Sequence, residues 1–378
     1  MLLSIVVYTS LALTLFALGW HVSLREARHK SATGKSLPFW SWEIILSILI
    51  FSAVAGARYH TGYDYAMYLS QYISYQKYGF FTRDFEPLFM WVTQLMAGAH
   101  IHYFFYFALW AAIELTLLYY ALNNYKSLIP WVALLIVLGP TFVHLMNTIR
   151  QGIVECSVPL LLILARERRL ILFLFLVAIL GMVHYTAFIL VAILLIPLRS
   201  EWKISPYLPL CVVIVTACVG MLPIWVEWIK SISEDVLAHV GNYNELFNIQ
   251  GTRFRLSVGP IRLLTYATQI ITIWFAIKAL KQEKSPWLMM LLICALVYVA
   301  GINLFANTTC YYQRPFELFS ICIILISALV IQVFICNRKK FIPFVVLVMN
   351  CSFIYLALCK AWLTPSPMNE AFVYHFFF

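Results

Sequence analysis

Residues 58–86 read RYHTGYDYAMYLSQYISYQKYGFFTRDFE. Arg58, His60, Asp64, Arg83, Asp84 and Glu86 lie in this stretch, with tyrosines interleaved. Its flanks are apolar: ILSILIFSAVAGA (45–57) comes before it and LFMWVTQLMAGA (88–99) after it. In so oily a chain, a polar stretch is where ligand binding or chemistry concentrates.

The flanks are typical of the whole. Of 378 residues, 63% are hydrophobic and 11% charged, against about 25% charged in a soluble globular protein. The mean hydropathy is +0.87. Apolar runs of membrane-spanning length recur from end to end, with no Ser/Gly-rich linker between them, so the expectation is a single transmembrane domain over 1–378. The fold class is all-α, a polytopic integral membrane protein of roughly 12 transmembrane helices, some short or re-entrant. The spans fall near 1–21, 39–57, 101–122, 130–148, 150–165, 170–184, 185–199, 206–229, 260–281, 286–306, 315–336 and 341–363. The first lacks a basic n-region and a small-residue cleavage site, so it reads as a retained span. The nine cysteines include no CxxC and lie mostly in apolar segments, as small buried hydrophobes.

The net charge of +10 does not point to nucleic acid, because the basic residues cluster in short loops between apolar runs. Arg25–Lys35, Arg166–Arg169, Arg199–Lys203, Lys281–Lys284 and Arg338–Lys340 are all cytoplasmic by the positive-inside rule. Parity then requires a reversal near Gly181–Tyr185, and makes 88–99 a re-entrant or surface piece. It also puts on one outer face the loop of about 58–87, Arg150–Gln151, His184, the loop of about 231–259 and Asn307–Arg314. Arg253, Arg255 and Arg314 are the loop arginines there, with Arg262 just inside a span; an arginine fork suits phosphate or carboxylate.

Each candidate has a plain structural alternative. Arg58 at a span end can be a snorkelling anchor, yet Gly62 permits a turn beside it and Asp64 is a carboxylate able to take a proton from a hydroxyl. His144, Asn147, Gln151 and Glu155 share one helical stripe, which reads as a site or as an interhelical seam. His184 sits at the predicted reversal. Arg314 precedes Pro315 at a helix start, with Glu317 three residues on. Glu114, near mid-span, suits proton coupling in a transporter or a neutral interhelical bond. P-loop, GxGxxG, HExxH and DxD motifs are absent, so neither a nucleotide cofactor nor a metal is expected.

Taken in order, Arg58-x5-Asp64-x3-Tyr68, Glu86–Pro87, NTIRQ around Arg150, HYTA around His184 and YYQR at Arg314 resemble the EpsG-like branch of the Wzy-type bacterial polysaccharide polymerases. The resemblance covers about residues 55–320. It implies a glycosyltransferase-C-like enzyme of the bacterial inner membrane with a periplasmic site. Such an enzyme moves a growing glycan from undecaprenyl diphosphate onto a lipid-linked repeat unit, alongside a flippase and a chain-length regulator. On that reading Arg58, Arg150 and Arg314 grip the diphosphate, with Arg253 and Arg255 as a second set, and Gln151 and Tyr68 contact substrate. Asp64 is the first choice of base, His184 the second and Glu86 the third. The tail, AFVYHFFF, carries no polar motif expected of the family. An O-antigen ligase or other lipid-linked glycosyltransferase, or a lipid-linked oligosaccharide flippase, are the alternative functions.

Overall fold

A computed structural model describes residues 1–196, 205, 207–239, 260–283, 285–308, 310–366 and 370–376. Among these residues the chain is helical, and its one β-bridge joins Arg58 to Phe376. The first half comprises α1 (Leu2–Thr33), α2 (Trp42–Gly56), α3 (Tyr65–Tyr78), α4 (Pro87–Gly98), α5 (Tyr103–Ala121), α6 (Ile129–Leu138), α7 (Thr141–Asn147) and α8 (Ile149–Arg166). The second comprises α9 (Leu170–Gly181), α10 (Tyr207–Gly220), α11 (Pro223–His239), α12 (Pro260–Leu280), α13 (Pro286–Leu304), α14 (Cys310–Glu317), α15 (Ser320–Cys336) and α16 (Phe341–Leu363). Two 3-10 helices, Asn123–Leu128 and Tyr185–Leu195, complete the set.

Among the described residues, five helices are long and apolar enough to cross a membrane: α1, α5, α12, α13 and α16. The number rises to seven if the bent pairs Asn123–Leu138 with α7 (68°) and α10 with α11 (79°) each count as one span. The chain is thus a helical membrane protein, but twelve full spans are not found. Several expected spans are short: α2 has 15 residues and α9 has 12, giving about 22 and 18 Å against the ~30 Å of a hydrocarbon core. α1 runs the other way, continuing as helix to Thr33 through the basic residues assigned to a loop.

The core explains why short helices suffice. All ten residues of α6 are buried, and α8 and α15 are buried on nearly every side. A helix that is apolar all round packs inside a bundle. α1 lies on α2 and α6, α2 on α5, and α5 on α8; α15 meets α6, α8, α12, α13 and α16. At one end, Glu43 is held by His21 (2.8 Å) and Arg25 (2.7 Å). Nearby, buried Lys126 donates to the carbonyls of Leu37 (2.9 Å) and Asn123 (3.0 Å). The expected reversal is present: α9 ends at Gly181, and Tyr185–Leu195 packs back against it. Cysteine burial is only partly as read, since Cys211, Cys218 and Cys336 are exposed on the outer surface of the bundle.

Candidate active site

The polar groups gather where the loop after α2 meets the α7–α8 junction. Arg58, expected to face the loop's ligand side, turns inward instead and is 1% exposed. Its Nη1 donates to the Ala55 carbonyl (2.6 Å) and its Nη2 to that of Met146 (2.9 Å). The guanidinium lies 4.5 Å from the Phe107 ring centroid. Buried Glu114 on α5 lines the same small void. Desolvating an arginine is costly, and Arg58 is compensated by the two carbonyls and the Phe107 ring face, with the Glu114 side chain on the same void. Arg58 is thus held inward as a strut that ties α2 to α7, away from the ligand side on which its diphosphate role was expected. Gly152 makes room for Glu114, since a Cβ there would stand 2.6 Å from Glu114 Oε1.

Beyond Arg58 the chain turns through His60 (φ 49) and Gly62 (φ +91). A left-handed φ at Gly62 brings the loop against Asn147, whose Oδ1 accepts from the Asp64 backbone N–H at 2.8 Å. Asp64 occupies the N-cap position of α3, but its carboxylate does not cap the helix. Burial raises that carboxyl above its usual range, while the charges of Arg314, Arg150 and Arg83 pull it back. A half-buried carboxylate tuned upward among arginines is suited to accept a proton.

Next to it, Glu86 bridges two elements far apart in sequence. One oxygen receives Arg150 Nη1 from the first turn of α8; the other lies 2.7 Å from His184 Nδ1 at the α9 reversal. Burial pushes the Glu86 carboxyl up, but the His184 hydrogen bond and the Arg150 charge prevail and bring it down to about 2. A carboxylate so occupied holds Arg150 and His184 in place and is hard to protonate. Arg150 is further fixed by Tyr68, whose hydroxyl accepts from Nε at 3.5 Å, and by the Phe85 ring 4.6 Å away.

A third cluster surrounds Glu155, which is fully buried. Its Oε1 meets His144 Nε2 (2.9 Å) and Gln151 Nε2 (2.9 Å), and its Oε2 accepts from Ser320 Oγ (2.5 Å). Gln151 also donates to Glu317 (3.2 Å), so it links α8 to α14, while Glu155 reaches α15 through Ser320. The helical stripe read through His144, Asn147, Gln151 and Glu155 breaks at Thr148 (φ −104, ψ 49). Asn147 then turns to Asp64 and leaves the others to Glu155. Half-buried Arg314 acts electrostatically on Asp64, His144 and Glu317. Arg262 donates to Asn307 Oδ1 (2.6 Å) and the Ala306 carbonyl (2.9 Å). Arg253, Arg255 and most of the loop 231–259 lie outside the described residues.

The tail supplies what the sequence reading missed. Residues 371–376 lie along the 58–62 loop: Tyr59 N–H donates to the His375 carbonyl (2.8 Å) and Gly62 N–H to that of Ala371 (3.1 Å). Tyr374 is buried and donates to the Val54 carbonyl (2.5 Å). A cavity of about 200 Å³ beside Asp64 is lined by Gly62, Tyr63, His144, Asn147 and, from the tail, Ala371 and Phe372. Contact through main-chain groups leaves no polar motif to find, and the tail's alternation of aromatic residues was its only signal.

These features define a helical membrane protein with a charged, partly buried site at one end of its bundle, built from its inter-helix turns. Over residues 41–376 the chain matches the model of the EpsG family, and it belongs to that family. Membership carries the general expectation of a polysaccharide polymerase acting within the membrane. No curated protein and no solved structure matches the chain.

Proposed function

We propose that the protein is a polysaccharide polymerase that transfers a growing undecaprenyl-diphosphate-linked glycan onto a lipid-linked repeat unit at the periplasmic face of the inner membrane. The observation that supports it best is that Arg150 and Arg314, from two distant segments, both act electrostatically on the half-buried Asp64 carboxylate. The acceptor hydroxyl oxygen attacks the anomeric carbon of the donor glycan. The carbon–oxygen bond to the diphosphate breaks, and the electron pair leaves with the lipid diphosphate. The hydroxyl proton passes to Asp64. Arg314 offsets the charge that grows on the leaving group, as preoriented donors do in a water-poor site. Arg150, bound to Glu86, positions that wall and adds to the field. His184 remains the second choice of base, although its Nδ1 is taken up with Glu86.

The same groups would serve a ligase. A flippase fits less well, because Glu155 is tied to three partners and Glu114 is buried beside Arg58. Purified protein incubated with lipid-linked repeat unit tests the proposal, with products read as a ladder on a gel. Chains of increasing length support it, as does their loss in Asp64→Asn. Transport of the substrate across a vesicle membrane without chain growth overturns it.

A further inference from the structure

A second cavity, of about 230 Å³, lies among α12, α13, α15 and α16 and extends to Thr141. It holds space for roughly seven waters at about 30 Å³ each, so it is no packing defect. Its lining is polar yet uncharged. α12 contributes Thr265, Thr268, Gln269 and Thr272, a stripe at three- and four-residue spacings on an otherwise apolar helix, and Ser320 and Asn350 face it from α15 and α16. Thr272 is 1% exposed and its hydroxyl has no hydrogen-bond partner. Gln269, 5% exposed, accepts from Asn303 through Oε1 (3.1 Å). Thr265 and Thr268 donate to the Ile261 (3.0 Å) and Leu264 (2.7 Å) carbonyls of their own helix, which leaves Thr272 as the unpartnered hydroxyl of the stripe; such a group costs about 1–3 kcal/mol, and a polar wall inside a membrane bundle marks a place where something binds.

The cavity adjoins the one beside Asp64. Pro140 lines both, and Phe353 of the second cavity packs edge-on against Phe372 of the first, with ring centroids 6.1 Å apart. Ser320 also carries the second cavity's wall to Glu155.

We infer that the second cavity binds the uncharged, polyhydroxylated part of the substrate, holding sugar units beyond the reacting one while the diphosphate lies at Arg314. This rests on the polymerase reading for the identity of the substrate. Threonine suits a sugar ring, with a hydroxyl for its OH groups and a methyl for its C–H face, and Phe353 adds an aromatic edge. A prenyl chain is the wrong occupant, because it would leave Thr272, Gln269, Asn350 and Ser320 facing hydrocarbon. A diphosphate is also wrong, because no cation lines the space.

The test uses full-length protein in nanodiscs, with Thr272→Val and Asn350→Leu as variants whose thermal midpoints are checked against the parent. The first probe is the repeat-unit oligosaccharide released by mild acid from the lipid fraction of the source cells; the second is undecaprenyl phosphate. Binding is read by calorimetry, without need of turnover. Each variant is expected to weaken the oligosaccharide about tenfold, the loss of one well-placed hydrogen bond, and to leave undecaprenyl phosphate binding as it was. In elongation assays the KM for a full repeat unit should rise about tenfold relative to that for a single-sugar lipid acceptor. Unchanged oligosaccharide binding in both variants overturns the inference, as does a loss confined to undecaprenyl phosphate. If the parent binds oligosaccharide here but never extends it, the cavity assignment stands and the polymerase reading falls.

Discussion

His184 Nδ1 and Glu86 Oε1 stand 2.7 Å apart across 98 residues of chain. The pair fastens the short α9 hairpin to the start of α4, and Arg150 fastens α8 to the same carboxylate. Because the folded Glu86 carboxyl is near 2 and its ordinary value is 4.5, its ionised form stabilises the fold. That contribution, on the order of 3 kcal/mol, is complete above pH ~4.5 and is lost as pH falls toward 2. The thermal midpoint of the parent should therefore drop through this window, whereas Glu86→Gln should start lower and change less. Parallel melting curves for both proteins would refute the assignment.

Asp64 titrates in the opposite sense. Burial raises it, so its basic form is lost on acidification at a higher pH than for an ordinary aspartate. The profile of kcat/KM against pH should show an acid limb displaced upward from about pH 4. Asp64→Asn should lower kcat by about 10²–10⁴ while retaining binding of the lipid donor. Normal polymer from this variant would move the base to His184.

Arg314→Ala should reduce kcat by roughly 10²–10³, the scale of one lost charge-stabilising donor, and Arg314→Lys should restore little where a planar fork is needed. Single-turnover kinetics with bound donor separate this from weaker binding. A variant that loses affinity alone, with chemistry intact, would place Arg314 outside the reacting centre.

Arg58→Ala should behave as a folding defect. Removing the guanidinium leaves the buried Ala55 and Met146 carbonyls without its hydrogen bonds, at about 1–3 kcal/mol each, so yield and thermal midpoint should fall. Gly152→Ala should cost about 1–3 kcal/mol by crowding Glu114. A fully stable, inactive Arg58→Ala protein would return Arg58 to substrate binding.

Much of this was legible in the sequence, and what was not has physical causes. Apolar runs announced the helices, yet hydropathy does not fix where a helix ends, so α2, α9 and α15 read as full-length spans although they run 15, 12 and 17 residues. Charge bias located the α9 reversal because Arg166–Arg169 and Arg199–Lys203 constrain parity. The polar residues of the site were visible as interruptions, but not their direction. Arg58 and Arg150 look alike in sequence; one faces Glu114 inside the bundle and the other Glu86 at its end. The helical stripe through Asn147 failed because the break at Thr148 is a tertiary choice, set by the Asp64 N–H that Asn147 accepts. The α12 threonines passed as part of an apolar span, since a threonine methyl hides the hydroxyl from any hydropathy count.

The strap of residues 371–376 also bears on when the protein can work. Those residues follow every described membrane helix in the chain, while the 58–62 loop they cover is made near its beginning. During synthesis the early loop must wait, its Tyr59 and Gly62 amides without their final partners, until all the intervening helices have entered the bilayer. Closure of the first cavity is in this way a late event of biogenesis, and a partly inserted chain lacks one wall of the site.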